Sequence, residues 1–279
     1  MQYLLGQYFF WLALISVCCF LLERLFARRK QQSFLRPQIA QDFFFLVFNG
    51  HIFGLLLATL LMQIAEVTSR YFDFAWVAKI ESLKILEGLQ WPVQFLLLLL
   101  FKDFLEWLVH NLLHRVSILW EIHKLHHSIV DMDWIGNFRF HFLEIVVYKT
   151  LIWLPLLPLG ANATVLLAVA VFSTFIGDLN HANLNWDYGP LKYIFNSPRM
   201  HLWHHDVICH YPYGQNFAVV FSIWDWIFKT MYYPSSAQQD APEKLGFHGL
   251  NKFPDSLITR LLYPFTSLGK AAKSRLKND

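Results

Sequence analysis

The sequence predicts an all-α integral membrane protein: about four transmembrane helices or helical-hairpin arms, with a cytosolic helical cap that carries clustered histidines. Three observations carry that prediction. Apolar residues make up 56% of the 279, charged residues only 15%, and mean hydropathy is +0.35, whereas a soluble domain carries about a quarter charged residues. The apolar residues fall in runs close to the ~20 residues that a spanning helix needs. Outside these runs, histidines gather as His110/His114, His123/His126/His127 and His201/His204/His205, at spacings of three and four that place side chains on one helix face.

The elements follow in order. Residues 3–22 are almost uncharged, with no basic stretch before them and no small-residue cleavage site after, so they read as an uncleaved anchor. The loop 23–42 holds Arg24, Arg28, Arg29, Lys30 and Arg36 against Glu23 and Asp42. That positive excess assigns it to the cytoplasm and the N-terminus to the outside. A second run, Phe43 to Ala65, returns the chain outward to a loop, 66–91, with three basic and four acidic residues. His51 within that run reads as a hydrogen-bonded interior side chain. Pro92 opens a third run; the 18 residues from there to His110 rise roughly 27 Å as a helix, which brings His110 out at the inner surface. Residues 115–144 are polar and mixed. Ile145 to Gly177 is apolar again, broken by Pro155, Pro158 and Gly160, which predicts a helical hairpin with both ends on one side. Residues 182–279 hold no spanning run and end in Lys270, Lys273, Arg275 and Lys277, a cytoplasmic signature. The expected organisation is an anchor region at 1–91, a catalytic domain at 92–235 and a cytosolic tail at 236–279.

Composition also excludes. Net charge is only +3 with no aromatic-basic stripe, so nucleic acid is not an expected partner. Cys18 and Cys19 lie in an apolar run and Cys209 stands alone; no disulfide framework or zinc finger follows. Cys209, four residues past His205, reads as a small buried filler.

The histidines carry the chemistry. Neutral imidazole suits iron, zinc and copper, and each cluster is expected to aim its rings at a common point. His181 is a further candidate, with Asp178 one turn before it and placed to orient its ring. Glu106, four residues before His110, and Asp103, seven before it, are candidates for the same role there, ion-pair or helix-surface roles being the alternative for all three acids. Eight or nine ligands exceed what one ion takes and suit two with open positions. No Glu-x-x-His pair argues for a ferritin-like site, and no H-E-x-x-H for a zinc protease. Iron among nitrogen ligands activates oxygen and abstracts hydrogen from an unactivated C–H bond. The Leu- and Phe-rich runs at 43–65 and 92–109 would hold a long apolar substrate.

The order H-x-x-x-H, H-x-x-H-H, H-x-x-H-H, with LWEIHKLHHS at 119–128, FRFHFLE at 138–144, HANLN at 181–185, GPLKYIFNSPRMHLWHHD at 189–206 and NFAVVFSIWDWIFKTMY at 216–232, resembles the fatty acid hydroxylase/sterol desaturase superfamily over roughly residues 95–235. Asn216 and Asp225 stand where that closing segment has them. The resemblance implies a membrane lipid hydroxylase or oxidase with two iron ions (zinc as a possible substitute), O2 as co-substrate and electrons from a separate reductase or carrier. The implied metal ligands are His110, His114, His123, His126, His127, His181, His201, His204 and His205. His141 stays open between ligand and scaffold. Asn111 replaces a frequent Arg and Phe142 a frequent Pro. Asn185, where some hydroxylases have His, is a weak or water-bridged ligand at most, and His210 and His248 default to surface roles. The implied location is a bacterial inner membrane or the endoplasmic reticulum, with the histidines facing the cytoplasm. Desaturation and ether-lipid oxidation are alternatives within the class. A histidine-rich metal transporter and a zinc hydrolase or metal-degenerate scaffold lie outside it.

Overall fold

The computed structural model describes residues 2–73, 75–234 and 241–275, and among these the fold is helical with no sheet. The first long helix, α1 (Gln2–Phe26), is followed by α2 (Ile39–Val47) and α3 (Phe53–Thr68), which a π turn at Phe48–Ile52 joins into one rod. After the short α4 (Ala75–Glu81) come α5 (Trp91–Arg115) and α6 (Ser117–His127). The hairpin follows as α7 (Phe142–Leu156) and α8 (Ala163–His181), then α9 (Pro198–His204), α10 (Ile223–Ile227) and α11 (Leu257–Arg275).

Among the described residues, four segments are long and apolar enough to cross a membrane: Gln7–Phe26, Ile39–Thr68, Phe142–Leu159 and Ala163–His181. Both arms of the hairpin therefore qualify. The exterior agrees: Phe10, Leu14, Val17, Leu21 and Leu25 line one exposed stripe of α1, the reverse of a soluble helix and what a lipid-facing surface requires. This is an integral membrane protein. The third predicted run differs. The helix starts at Trp91 with Pro92 in its first turn, as the sequence suggests, but it carries Lys102, Asp103 and Glu106 in its middle. Those charges keep α5 out of the apolar set; Lys102 and Asp103 are buried against protein, where partners offset their desolvation.

Backbone hydrogen bonds fix the two ends of the bundle. At one end, Arg28 N–H bonds Asn183 O at 2.8 Å, tying the loop after α1 to the residues after α8. At the other, Ile85 and Leu86 N–H groups bond Pro158 and Leu159 O at 3.1 and 2.8 Å, and Trp91 Nε1 donates to Thr164 Oγ1 at 3.2 Å. Gly160 makes that hairpin tip possible. Its φ is +58°, and a Cβ there would lie 2.7 Å from the Lys84 backbone, so only glycine fits.

One packed core joins α1 and α2 to the cap: Leu12, Ile15, Cys19 and Phe45 meet Leu125, Trp134, Ile135, Phe138 and Leu179. A second fills the space among α5, α7 and α8 with Leu98, Leu99, Val109, Ile152, Leu156, Val165 and Val169. Under the cap, Arg36 holds Asp133 through two bonds at 2.6 Å and Asp42 at 2.7 Å, while Arg139 grips Asp42 through both its oxygens at 2.5 and 2.6 Å. All four are buried, so Arg36 is a structural ion rather than a free loop charge. Burial of Asp133 pushes its carboxyl up despite Arg36 beside it. The tail charge Lys277 lies outside the described residues, as do the side chains of Lys270, Lys273 and Arg275.

Candidate metal centre

Nine of the chain's 13 histidines meet at the end of the bundle where α1 and α8 close, in two groups. His110, His114, His123, His127 and His204 form the first; His126, His181, His201 and His205 form the second; within each group one nitrogen per ring lies within 4.8 Å of all the others. These nine are the residues singled out from the sequence. The partition is not as expected. Neither H-x-x-H-H cluster converges on one point: His123 and His127 join the first group while His126 joins the second, and His201 and His205 join the second while His204 joins the first. The cause is helix geometry. At about 100° per residue, positions i and i+4 lie roughly 40° apart, but i+3 and i+4 lie roughly 100° apart. One short helix thus serves two points, and α6 and α9 do so in mirrored fashion.

Burial sets the protonation state. Removal from water, then the neighbouring imidazoles, hold His123, His126, His127, His201 and His205 well below the usual histidine range, and His204 likewise. These rings are neutral at pH 7, and each presents a lone pair, the form a metal takes. His Nε2 atoms face one another at 3.1 Å (His114–His127), 3.2 Å (His126–His181) and 3.1 Å (His181–His201). Buried nitrogens without any hydrogen-bond partner remain on His110, His123, His126, His201, His204 and His205. So many orphaned acceptors are costly unless something binds them. An all-nitrogen set in two groups of five and four fits two transition-metal ions.

The far nitrogens are held by the scaffold. His110 Nδ1 donates to Phe217 O at 2.8 Å, His181 Nδ1 to Gly177 O at 2.8 Å, and His204 Nδ1 to Gln215 O at 2.7 Å. His123 Nδ1 meets Glu144 Oε1 at 2.7 Å with both groups buried. Such partners fix ring orientation and tautomer. Glu144 is the functional residue that sequence reading passed over. It sits in FRFHFLE, 21 residues from His123, and no helical spacing links the two.

None of the three acids weighed from spacing orients a ring, and Glu106 takes the ion-pair alternative. Asp178 accepts from Asn137 Nδ2 at 2.7 Å, and the Gly177 carbonyl orients His181 instead. Glu106 pairs with Lys102 at 2.6 Å. Asp103 accepts the Val220 and Phe221 N–H groups and Trp224 Nε1, at 2.8, 2.9 and 2.9 Å. Asp225 does the same for Phe217 and Ala218 N–H and Trp107 Nε1, at 3.0, 2.9 and 3.0 Å. These two buried carboxylates shape the loop that presents the Phe217 carbonyl to His110. Asn216, at φ 55°, bridges Met200 O and Tyr232 O.

His141 stands outside both groups. Its Nδ1 caps α7 by accepting Leu143 N–H, and its Nε2 donates to Leu261 O at 2.9 Å. Asn185 is exposed. Cys209 is exposed rather than buried filler. His210 is half-buried, bonded to Asp206 at 2.9 Å and stacked on Tyr232 at 3.5 Å, and His248 is exposed. A cavity of about 250 Å³ reaches the first group from the polar side, with His114, Trp120, Tyr213 and His248 in its wall. At its rim Gly214 has φ +101°, and a Cβ there would lie 3.2 Å from His114 Nδ1.

Comparison with known proteins adds ancestry. An ornithine lipid hydroxylase of Rhizobium tropici is 33% identical over 186 residues, covering 65% of this chain and 54% of that protein. An alkylglycerol monooxygenase of Caenorhabditis elegans is 27% identical over 208 residues, covering 69% and 39%. A very-long-chain aldehyde decarbonylase of Oryza sativa subsp. indica is 25% identical over 141 residues, covering 46% and 22%. The chain thus spans about half the length of the first of these relatives and less of the others. No solved structure matches it significantly. Residues 95–230 match the family model described as fatty acid hydroxylase, the segment that carries all nine histidines, and this segment is therefore a fatty acid hydroxylase domain of the superfamily its relatives share.

Proposed function

We propose that this protein is a membrane-bound, O2-dependent lipid hydroxylase whose nine grouped histidines hold two iron ions. The observation that carries the reading is the pair of buried imidazole groups, with unpartnered nitrogens, at one end of an apolar bundle. Iron held there would activate O2 and place one oxygen atom in a C–H bond, the other leaving as water with two electrons and two protons supplied. The chain's own residues do the rest. Phe217, Gly177 and Gln215 carbonyls and the Glu144 carboxylate hold four rings in place, so that little reorganisation is needed when ions bind. The membrane exterior favours an apolar substrate: a groove of about 560 Å³ lined by Trp11, Leu14, Phe95, Leu167, Phe172 and Phe175 opens along α1 and α8.

The histidines face the cytoplasm in this reading, because the loop with Arg28, Arg29 and Lys30 lies at their end of the bundle. Electrons arrive from a separate reductase or carrier at the polar mouth, where exposed Arg115 lies over Tyr213 at 4.8 Å. Zinc would bind the same nitrogens without supporting turnover. Within the class, oxidation beside an ether oxygen is the second reading, favoured by the similarity to alkylglycerol monooxygenase.

The test is metal analysis and lipid mass spectrometry together. Purified protein should carry about two irons per chain, and host lipids should gain oxygen only under air. His126→Ala should abolish both the oxidation and part of the iron. Iron-free protein with unchanged lipids would overturn the proposal, and metal flux in proteoliposomes lost in His204→Ala would replace it with transport.

A further inference from the structure

Hydrogen bonds to the scaffold hold the two histidine groups unequally. In the first group His110, His123 and His204 have them; in the second, among the described residues, only His181 does. His126, His201 and His205 keep buried nitrogens without partners. A histidine ring turns about χ2 in a broad well, so stacking has to set these planes. His201 lies along His204 at 5.1 Å and 20°, and His205 along His127 at 4.5 Å and 27°. His126 lies along His123 at 5.3 Å and 25°, and closer and flatter along Phe140, at 4.7 Å and 15°. Phe140 thus comes from outside the centre and lies nearly parallel to one of its rings. Trp120 and Phe217 also touch histidines of the centre, but at 43° or more.

Phe140 is held from the α2–α3 rod. Arg139 before it sits at φ −75° and ψ 71°, and Phe140 N–H bonds Phe138 O at 2.8 Å, which makes an inverse γ-turn. Asp42 on α2 grips the Arg139 guanidinium. Two carbonyls of the turn go to Asn49, whose Nδ2 donates to Phe138 O at 2.8 Å and to Phe140 O at 2.9 Å. Asp42 and Asn49 are seven residues apart, about two helical turns, and so share a face of the rod. Asn49 lies in the π turn Phe48–Ile52, inside a segment apolar enough to span a membrane. An amide is costly there, and π turns gather at functional sites. The clamp on Phe140 gives both a role.

We propose that Phe140, clamped by Asn49, is a positioning residue for His126: its ring supplies the orientation that a hydrogen bond supplies to His181. The consequence falls on one group. The second group has four rings against five in the first, so a misaimed His126 leaves three there and all five in the other. Glu144 acts on the first group through His123, and Phe140 is its counterpart for the second. This rests on the reading of the histidines as a two-ion centre, and adds the residues that set the aim of its smaller group.

The experiment titrates metal-free full-length protein in detergent micelles with Co2+, whose visible absorption reports the number and geometry of its nitrogen ligands. The wild type should take up about two Co2+ per chain. Phe140→Leu should weaken one of the two affinities about three- to tenfold, the worth of an aromatic stack, and alter the absorption of that ion alone. Phe140→Tyr, which keeps the ring, should match the wild type in both. Asn49→Leu, which leaves Phe140 in place but removes its clamp, should act in the same direction as Phe140→Leu. Melting of the metal-free proteins is followed alongside, because a merely structural role would lower Tm and weaken both ions together. That outcome overturns the proposal. So does a Phe140→Leu protein with wild-type affinities and spectrum, or a Phe140→Tyr protein that fails as Phe140→Leu does. Lipid oxidation is read on iron-loaded preparations. No oxidation by a protein with the expected Co2+ pattern sinks the hydroxylase reading alone; oxidation with both ions unaffected by Phe140→Leu sinks the positioning role alone.

Discussion

At the scale of single residues, the identities of the clustered histidines are legible in the sequence, because rare spacings of one residue type survive any uncertainty about backbone. Their partners are not. Asp178 is one turn from His181 and looks like its orienter, yet a backbone carbonyl takes that place, and carbonyls are invisible to motif reading. Glu144 holds His123 across the α6–α7 junction, a contact only tertiary packing creates. Two substitutions separate ligand support from scaffold. Glu144→Ala leaves His123 Nδ1 without an acceptor, and iron affinity by chelator competition should fall about 10- to 100-fold, as loss of such partners does elsewhere. His141→Ala removes a helix cap and the bond to Leu261; it should lower stability by about 1–2 kcal/mol while iron content stays at the wild-type level. Iron lost in His141→Ala, or kept at full affinity in Glu144→Ala, would reverse the two assignments.

At the scale of elements, the apolar runs locate α1, the α2–α3 rod and the hairpin, but run length alone misjudges α5. Its buried charges have partners far away in sequence: Asp103 bonds residues 117, 118 and 121 positions on. A hydropathy reading sees charges only as a cost, and the compensating donors arrive with the fold. The same applies to Asp225, which the resemblance places in its segment without saying what it does. It collects two backbone N–H groups, Trp107 Nε1 and the Thr230 hydroxyl, and so holds the strapped loop whose Phe217 carbonyl seats His110. Asp225→Ala orphans these buried donors at once, and should cost about 3–5 kcal/mol with a matching fall in Tm. Iron binding should weaken too, since His110 loses a fixed acceptor. A variant that melts and loads iron like the wild type would show the loop to be held by packing alone.

At the scale of the whole molecule, the sequence orders the chain across the membrane by counting loop charges, and the structure changes which charges deserve counting. Arg36 is consumed in the buried network with Asp42, Asp133 and Arg139, so it has no water-facing charge to steer insertion. Arg28, Arg29 and Lys30 remain beside the histidine end, and the acidic-leaning loop that reaches Leu86 remains at the hairpin tip. The remaining asymmetry still predicts the histidines in the cytoplasm, now on four charges, Arg24 included, rather than five. Native cysteines make this testable without disturbing the centre. Cys209 is exposed at the histidine end, Cys19 is buried, and Cys18 lies on the lipid-facing side of α1. A charged, membrane-impermeant maleimide should therefore label Cys209 in inverted membrane vesicles and not in intact cells. In a Cys209→Ser background, Ser82→Cys, exposed at the opposite end, should show the reverse. Labelling of Cys209 from outside intact cells would invert the topology, and would place the electron donor on the far side of the membrane from the one the basic loop selects.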